Sequence, residues 1–351
     1  MNRNRFRRGW SYMITIYDIA KNVGCSSATV SKALNNYPDV NAMTRKRILD
    51  MAESMGYSPN SQAQALTKNK TWNIGVLFET ESEIRNGFTH YFFSQILESF
   101  KKYTEERGYD LTFVSQKIGE NKVSFLQHVR RRRCDGVIIA NYDYHDQNAL
   151  ELIHSKIPVV VIDFDNDTVS SIFSENYEGL KLLTQHLIDL NHRDIVYIHG
   201  QRNYVTGERI RGFEDTMKAN NCIITEEHLV ESKYYDRQNI ADKTRLVLAR
   251  DKRPTAIIFS DDYAAVLGIK VIQELGLRVP EDISVVGFDG LELGQMITPH
   301  LTTIVQDTRM IGELAAKRLT EIIETKNRTK VDISVGVTLL EGASCKQVKL
   351  I

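Results

Sequence analysis

The segment from residue 14 to residue 35 constrains the chain most. Ile16, Ile19, Ala20 and Val23 fall at i, i+3, i+4 and i+7, which makes one apolar stripe on a short helix. Gly24 breaks that helix, and Ser26 can cap the next one through its hydroxyl. On the second helix Val30, Ala33 and Leu34 face inward, leaving Ser27, Ala28, Thr29, Ser31 and Lys32 outside. A small, hydroxylated and basic outer face is what a helix lying in the major groove of DNA requires. A third helix follows, with Asn41 as its cap, Ile48, Leu49, Ala52 and Met55 as its stripe, and Gly56 at its end. Three helices in so short a stretch predict an all-α helix-turn-helix domain over residues 13–58.

The charge distribution points the same way. The chain of 351 residues has a formal net charge of zero, but residues 1–71 hold eleven Lys/Arg against four acids and so carry +7. The remainder carries −7. A basic head on an acidic body predicts a polyanionic partner for the head. Residues 1–12 form a basic tail, read either as an arm on DNA or as sequence upstream of a start at Met13. Residues 59–71 admit about two helical turns, too short to be stable alone in water, so they read as a linker or as a helix that forms on a partner. Cys25, Cys134, Cys222 and Cys345 match no metal or redox spacing and read as reduced thiols. No apolar leader and no spanning run is visible, which predicts a soluble cytoplasmic protein that makes no use of a membrane.

From residue 72 the pattern becomes alternating strands and amphipathic helices. Near-continuous apolar runs at 72–78, 110–114, 136–140, 158–163, 194–199, 256–260 and 283–289 predict parallel strands covered on both faces. Helical spacing between them, as in Phe92, Ile96, Leu97 and Phe100, predicts two doubly wound, Rossmann-like α/β lobes. The natural ligand site of such a pair is the cleft between the lobes, beyond the carboxyl ends of the strands. Arg130–Arg133 sits on a helix just before a strand and reads as a solvated helix end.

Ser26-x-x-Thr-Val-Ser-Lys-x-Leu-Asn35, Val40-x-x-x-Thr-Arg45 and Gly56-Tyr-x-Pro-Asn60-x-x-Ala-x-x-Leu66, in that order, resemble the LacI/GalR family of transcriptional regulators. Glu208-Arg-x-x-Gly-Phe213 and Val279-Pro-Glu-Asp-Ile-Ser-Val-Val-Gly-Phe-Asp-Gly290 are similar to that family's effector domain, whose fold is periplasmic-binding-protein-like. The resemblance implies that Ser27, Ala28 and Lys32 read bases, helped by Thr15 and Ile16. It implies phosphate contacts from Tyr17, Ser26, Ser31, Asn35 and Thr44, with Thr29 on the same helix. Around Asn60, Ala63 and Leu66 it implies a hinge helix in the minor groove, Leu66 wedging between central base pairs. It further implies an effector-binding and dimerisation domain over 72–351. The N-lobe would take about 72–174 and 306–334, the C-lobe about 175–305 and 335–351.

The implied effector positions are Asn141, Asp163, Phe173, Arg209, Tyr234, Asp262 and Asp289. Carboxylates, amides, a guanidinium and aromatic rings suit a sugar-like polyol. Three departures touch the sites. Lys32 stands where arginine is usual, His90-Tyr-Phe-Phe93 where Asn-Pro-Phe-Phe is frequent, and Asp261-Asp262 where Asn-Asp is frequent. The expected function is a homodimeric repressor that binds double-stranded operator DNA, controls sugar-utilisation genes and is released by a small sugar-like effector. A corepressor-dependent regulator and a solute-binding protein without gene control are the alternatives. With no phosphate loop, nucleophile elbow or metal cluster in view, neither an enzyme nor a cofactor is expected.

Overall fold

The computed structural model describes residues 14–57, 70–78, 90–141 and 146–349. The expected tail, the hinge with Asn60, Ala63 and Leu66, and the side chain of Asn141 lie outside the described residues. Two compact units are present, one ending at Thr71 and one beginning at Trp72.

In the first unit α1 (Ile16–Val23), α2 (Ser27–Leu34) and α3 (Ala42–Ser54) close on a small core of Ile19, Val23, Val30, Ala33, Val40, Ile48 and Ala52. Each helix start is specified locally. Asp18 accepts from both the backbone N–H and the hydroxyl of Thr15, at 2.8 and 2.7 Å. Ser26 Oγ accepts from Thr29 N–H at 3.1 Å, and Asn41 Oδ1 from Met43 N–H at 2.8 Å. Gly24 ends α1 at φ 76, a left-handed conformation that favours glycine. Leu49 departs from expectation. It is 44% exposed, because the helical step carries it off the face that Ile48 and Ala52 bury.

The second unit holds two six-stranded sheets. Its elements in chain order are β1 (Asn73–Phe78), α4 (Tyr91–Glu105), β2 (Asp110–Val114), the small hairpin β3 (Lys117–Ile118) and β4 (Asn121–Lys122), α5 (Phe125–Arg132), β5 (Gly136–Asn141), α6 (Gln147–Ile153), β6 (Val159–Ile162) and β7 (Ser170–Ser174). There follow α7 (Asn176–Asp189), β8 (Ile195–His199), α8 (Tyr204–Ala219), β9 (Leu229–Glu231), α9 (Arg237–Leu248), β10 (Ala256–Phe259), α10 (Asp262–Glu274), β11 (Ser284–Asp289), α11 (Glu292–Gln295), β12 (Thr302–Gln306), α12 (Thr308–Thr325), β13 (Ile333–Val335) and β14 (Val337–Leu340).

The N-lobe sheet runs β13-β7-β6-β5-β1-β2 and the C-lobe sheet β14-β12-β11-β10-β8-β9. Every pairing is parallel except β12 with β14. Alternate residues feed opposite layers, as the strand period of two demands. Ile74, Val76 and Ile138 pack under α4 and α12, whereas Leu77, Val137 and Ile139 pack under α5 and α6. In the C-lobe Tyr197, Ile258 and Phe288 meet α7 and α8, whereas Ile198, Ile257 and Phe259 meet α9 and α10. The chain passes between the lobes three times: from β7 to α7, from β12 to α12, and through Gly336 from β13 to β14.

The N-lobe depends on a close approach of α4 and α12. A Cβ on Gly312 would lie 2.3 Å from the carbonyl oxygen of Ile96 and 2.9 Å from Ser99 Cβ. Substituting Gly312→Ala adds about 1 kcal/mol of helix propensity. It also forces the two backbones apart, and overpacking of this kind costs about 1–3 kcal/mol. The variant is expected to unfold at lower urea concentration than the parent. A midpoint at or above the parent's would show that the helices do not meet here.

Candidate functional site

Two sites emerge, one in each unit. In the first, α2 presents Ala28 and Lys32 to solvent, with Ser27 and Ser31 half-buried beside them. Tyr17 on α1 is 70% exposed. Thr29 is less free than its place in the sequence suggests, because its hydroxyl lies 2.8 Å from Ser26 Oγ and completes the cap. Asn35 donates its amide to the Ser31 carbonyl at 2.9 Å and closes the helix. Ile16 packs against the core, and Thr44 is half-buried on α3. Lys32 is held by an acid that sequence reading passed over: its Nζ lies 2.5 Å from Asp39. That hydrogen bond raises the lysine's pKa and lowers the aspartate's. A cation that is to donate to a base edge must first leave this partner.

In the second unit the sequence-derived positions gather at the carboxyl ends of both sheets. Arg209, on α8, is the centre. It is 4% exposed. Its Nε donates to Asn176 Oδ1 at 2.7 Å and its Nη1 to the Ser260 carbonyl at 2.9 Å. The guanidinium carbon stands 3.7 Å over the ring of Phe288, a cation–π seat that suits arginine and not lysine. Asp163 follows β6 at φ 52 and accepts from Ser174 N–H at 3.3 Å. Burial lifts its carboxyl to about 6, with Arg209 and the Ser174 N–H pulling the other way. Asp289 ends β11 and accepts from Gln306 Nε2 at 2.7 Å. Burial drives its pKa well up against the pull of Arg209, and Asp261 and Asp262 add to the rise.

Tyr234 fills the space above Gly200, where a Cβ would come within 1.9 Å of its ring, and its hydroxyl lies 3.2 Å from Thr206 Oγ1. Phe173 meets Tyr204 with ring centroids 5.3 Å apart. A cavity of 430 Å³ opens there, lined by Phe173, Ser174, Asn176, Tyr204 and Glu208 among others. A larger hollow of 610 Å³ lies elsewhere, between α4 and α12, among charged residues such as Lys102, Arg309 and Glu313. Being set apart from the strand ends and from Arg209, it is not the second unit's site.

Asp262 is corrected by the structure. It is fully buried, and it accepts from Leu291 N–H at 2.6 Å and from the Thr303 hydroxyl at 2.5 Å. Its carboxylate thus ties α10 to the turn after β11 and to β12. Its neighbour Asp261 is the one near Arg209. Asp261 caps α10 through Ala264 N–H at 2.7 Å and accepts from Ser260 Oγ at 3.0 Å, and burial raises its pKa while Arg209 opposes the rise. Sequence reading missed Asn176 and Gln306 as well, since neutral amides carry no pattern. It also missed an aromatic clasp across the lobes. His90, at the start of α4, meets Tyr235 at a tilt with ring centroids 4.6 Å apart and Nδ1 3.4 Å from its hydroxyl, and Tyr235 stacks 5.0 Å from Tyr263. Burial lowers His90 to about 4, so the ring is neutral at pH 7. His192 sits between the Thr255 hydroxyl and the Lys346 carbonyl, at 2.8 and 3.1 Å, in a structural role. Among the described residues no group of three His, Cys, Asp or Glu is placed to hold a metal.

A helix-turn-helix head joined to a two-lobed body with a buried polar site between its lobes defines a DNA-binding regulator. Residues 15–60 match the model for bacterial regulatory proteins of the lacI family, and residues 184–345 match the periplasmic binding protein-like domain. The chain is 34% identical over 327 residues to the HTH-type transcriptional repressor PurR of Aliivibrio fischeri, covering 91% of this chain and 94% of that one. It is 34% identical over 321 residues to the "Probable HTH-type transcriptional repressor ExuR" of Bacillus subtilis, covering 90% and 94%. The lac repressor dimer bound to operator and the anti-inducer ONPF superposes with a TM-score of 0.80 at 27% identity, covering 95% of this chain and 99% of that one. The chain therefore belongs to the LacI family, and it is a DNA-binding transcriptional repressor rather than an enzyme.

The buried carboxylates make stability depend on pH. Asp163 titrates near 6 when folded, against an ordinary value of 3.8. Its contribution is therefore complete below pH 3.8 and lost as pH rises through 6. Asp163→Asn does not suffer that loss. The variant is expected to gain on the parent between pH 4 and pH 7, by up to about 3 kcal/mol at roughly 1.4 kcal/mol per pH unit of displacement. Urea midpoints across that range check it, and a constant difference would refute it.

Proposed function

We propose that this repressor works as a cytoplasmic homodimer on a near-palindromic operator of sugar-utilisation genes, and that a small sugar-like effector bound between its lobes releases it. The observation that carries the effector half is the buried polar cluster around Arg209. Asp163 and Ser174 enter it from the N-lobe, Asp261, Asp289 and Arg209 from the C-lobe. A polyol offers hydroxyls to such carboxylates and an apolar face to the ring of Phe173 or Tyr234. Solved relatives carry ligands of this kind: one of the same fold is a complex with cellobiose, another holds ribose.

For the DNA half, Ser27, Ala28 and Lys32 read bases in the major groove. Thr15 and Ile16 help them, and Tyr17, Ser26, Ser31, Asn35 and Thr44 set the register on the backbone. Asn60, Ala63 and Leu66 belong to a hinge that enters the minor groove. Effector and operator are coupled reciprocally, so a ligand that loosens DNA binds more weakly to the DNA-bound form. A second reading, a corepressor with a planar ring, is favoured by one observation, the stacked faces of Tyr235 and Tyr263 beside His90.

Gel shift of the full chain on its own promoter separates these readings. A sugar that lowers operator affinity supports release, and a planar heterocycle that raises it supports corepression. Retained specific binding after deletion of residues 1–58 would sink both. Two substitutions resolve the roles. Leu66→Ala is expected to weaken operator binding and spare effector affinity. Lys32→Ala is expected to relax preference at one operator position by about 1–3 kcal/mol, and uniform weakening across sequences would assign Lys32 to the phosphate backbone instead.

A further inference from the structure

Resting on the reading of the inter-lobe cluster as the effector site, we infer that its ligand carries a positive charge: an ammonium-bearing polyol that donates to Asp289, to Asp261 and to the amide oxygen of Gln306.

The argument starts from Gln306. Its Nε2 donates to Asp289 at 2.7 Å, and the opposite amide orientation would set oxygen against oxygen. Against an ionised Asp289 the amide oxygen therefore points away from it. It is buried, in a residue 4% exposed, and has no hydrogen-bond partner. Ser174 Oγ and the Tyr197 hydroxyl are buried and unpartnered in the same way. Buried acceptors without donors are costly, and a site that keeps one is shaped for a donor that arrives from outside.

Charge decides which donor. Asp163, Asp261 and Asp289 are each within electrostatic reach of Arg209. Arg209 is one cation against three carboxylates, and it spends its Nε and Nη1 on the neutral oxygens of Asn176 and Ser260. Neither Asp261 nor Asp289 is in an ion pair among the described residues. His90 is neutral at pH 7 and adds no cation. The carboxylates are not arranged as metal ligands either. A hydroxyl supplies hydrogen bonds but no charge, and a uronate or phosphate would add a further anion. An ammonium supplies three donors and the missing charge, and the stacked faces of Tyr235 and Tyr263 suit a cation.

Thermal shift of the full chain at pH 7.5 tests this with glucosamine, galactosamine, N-acetylglucosamine, glucose and glucuronate as probes. Glucosamine or galactosamine is expected to raise the melting midpoint with concentration, as mass action requires. N-acetylglucosamine, similar in shape but uncharged, is expected to leave it unchanged. In the ligand-free protein Asp261→Asn and Asp289→Asn are each expected to melt higher than the parent, because each removes a carboxylate whose burial outweighs the pull of Arg209. A shift with glucose or glucuronate and none with the amines overturns the inference and leaves the sugar-effector reading standing. Lower melting of both ligand-free variants overturns it as well. If no probe shifts the midpoint, the two variants decide alone. If adenine, added as a control, shifts it while every sugar fails, the sugar-effector reading falls too.

Discussion

A single guanidinium organises the polar cluster between the two lobes of the second unit. Arg209 is taken out of water and seated flat on Phe288. Desolvating a cation is tolerable only where hydrogen bonds and charges replace the lost water. Asn176 and the Ser260 carbonyl supply the bonds, and the aspartates at the ends of β6, β10 and β11 supply the charge. Those partners come from α7, the turn after β10 and the end of β11, elements far apart in sequence. Their meeting is a consequence of the parallel pairing of β8, β10, β11 and β12, which brings the carboxyl ends of these strands to the same edge. The fold thus places the chemistry, and the arginine fixes what the chemistry is.

The head obeys a more local logic. Its core is small, and three short helices bury it only if each starts and stops at a defined residue. Capping does this: Asp18 on Thr15, Ser26 on Thr29 and Asn41 on Met43. The same hydroxyls that cap the helices are the ones read from sequence as DNA contacts. Thr29 is turned inward to Ser26 and Lys32 is drawn to Asp39. The exposed face of α2 is therefore narrower than its composition suggests, and Ala28 is its most open small residue.

The main architecture was legible because its signals are strong. Runs such as Val159–Ile162 and Ile195–His199 are apolar at every position, which only a strand covered on both faces sustains. β7 was not legible. It reads Ser-Ser-Ile-Phe-Ser and is almost wholly buried, and its Ser170 Oγ accepts from afar, from Arg318 Nε at 3.1 Å and from Val331 N–H at 3.0 Å. Sequence patterns register hydrophobicity, and hydrogen bonds made across 148 residues leave no local trace. The site failed at finer grain. Asp261 and Asp262 are neighbours of one residue type, and only the turn into α10 decides which side each takes. The first caps the helix beside Arg209 and the second turns to Leu291 and Thr303. Gln306 and Asn176 act through amides that no charge pattern flags.

The two lobes hold the site unequally. Asn176, Ser260 and Phe288 all belong to the C-lobe, so the guanidinium keeps its place whatever angle the lobes adopt. Asp163 and Phe173 come from the N-lobe and stand beside a crossover, where a rotation displaces them least. His90 also comes from the N-lobe, but it reaches across to Tyr235 through one long hydrogen bond and a ring contact. A contact of that kind is weak and neutral, and it breaks without leaving a buried charge exposed. Opening the lobes therefore costs little at the clasp, and at Asp163 it exchanges the pull of Arg209 for water that burial had excluded. Neither contact holds the lobes at one angle, so a few hydrogen bonds made across the cleft are enough to bias it.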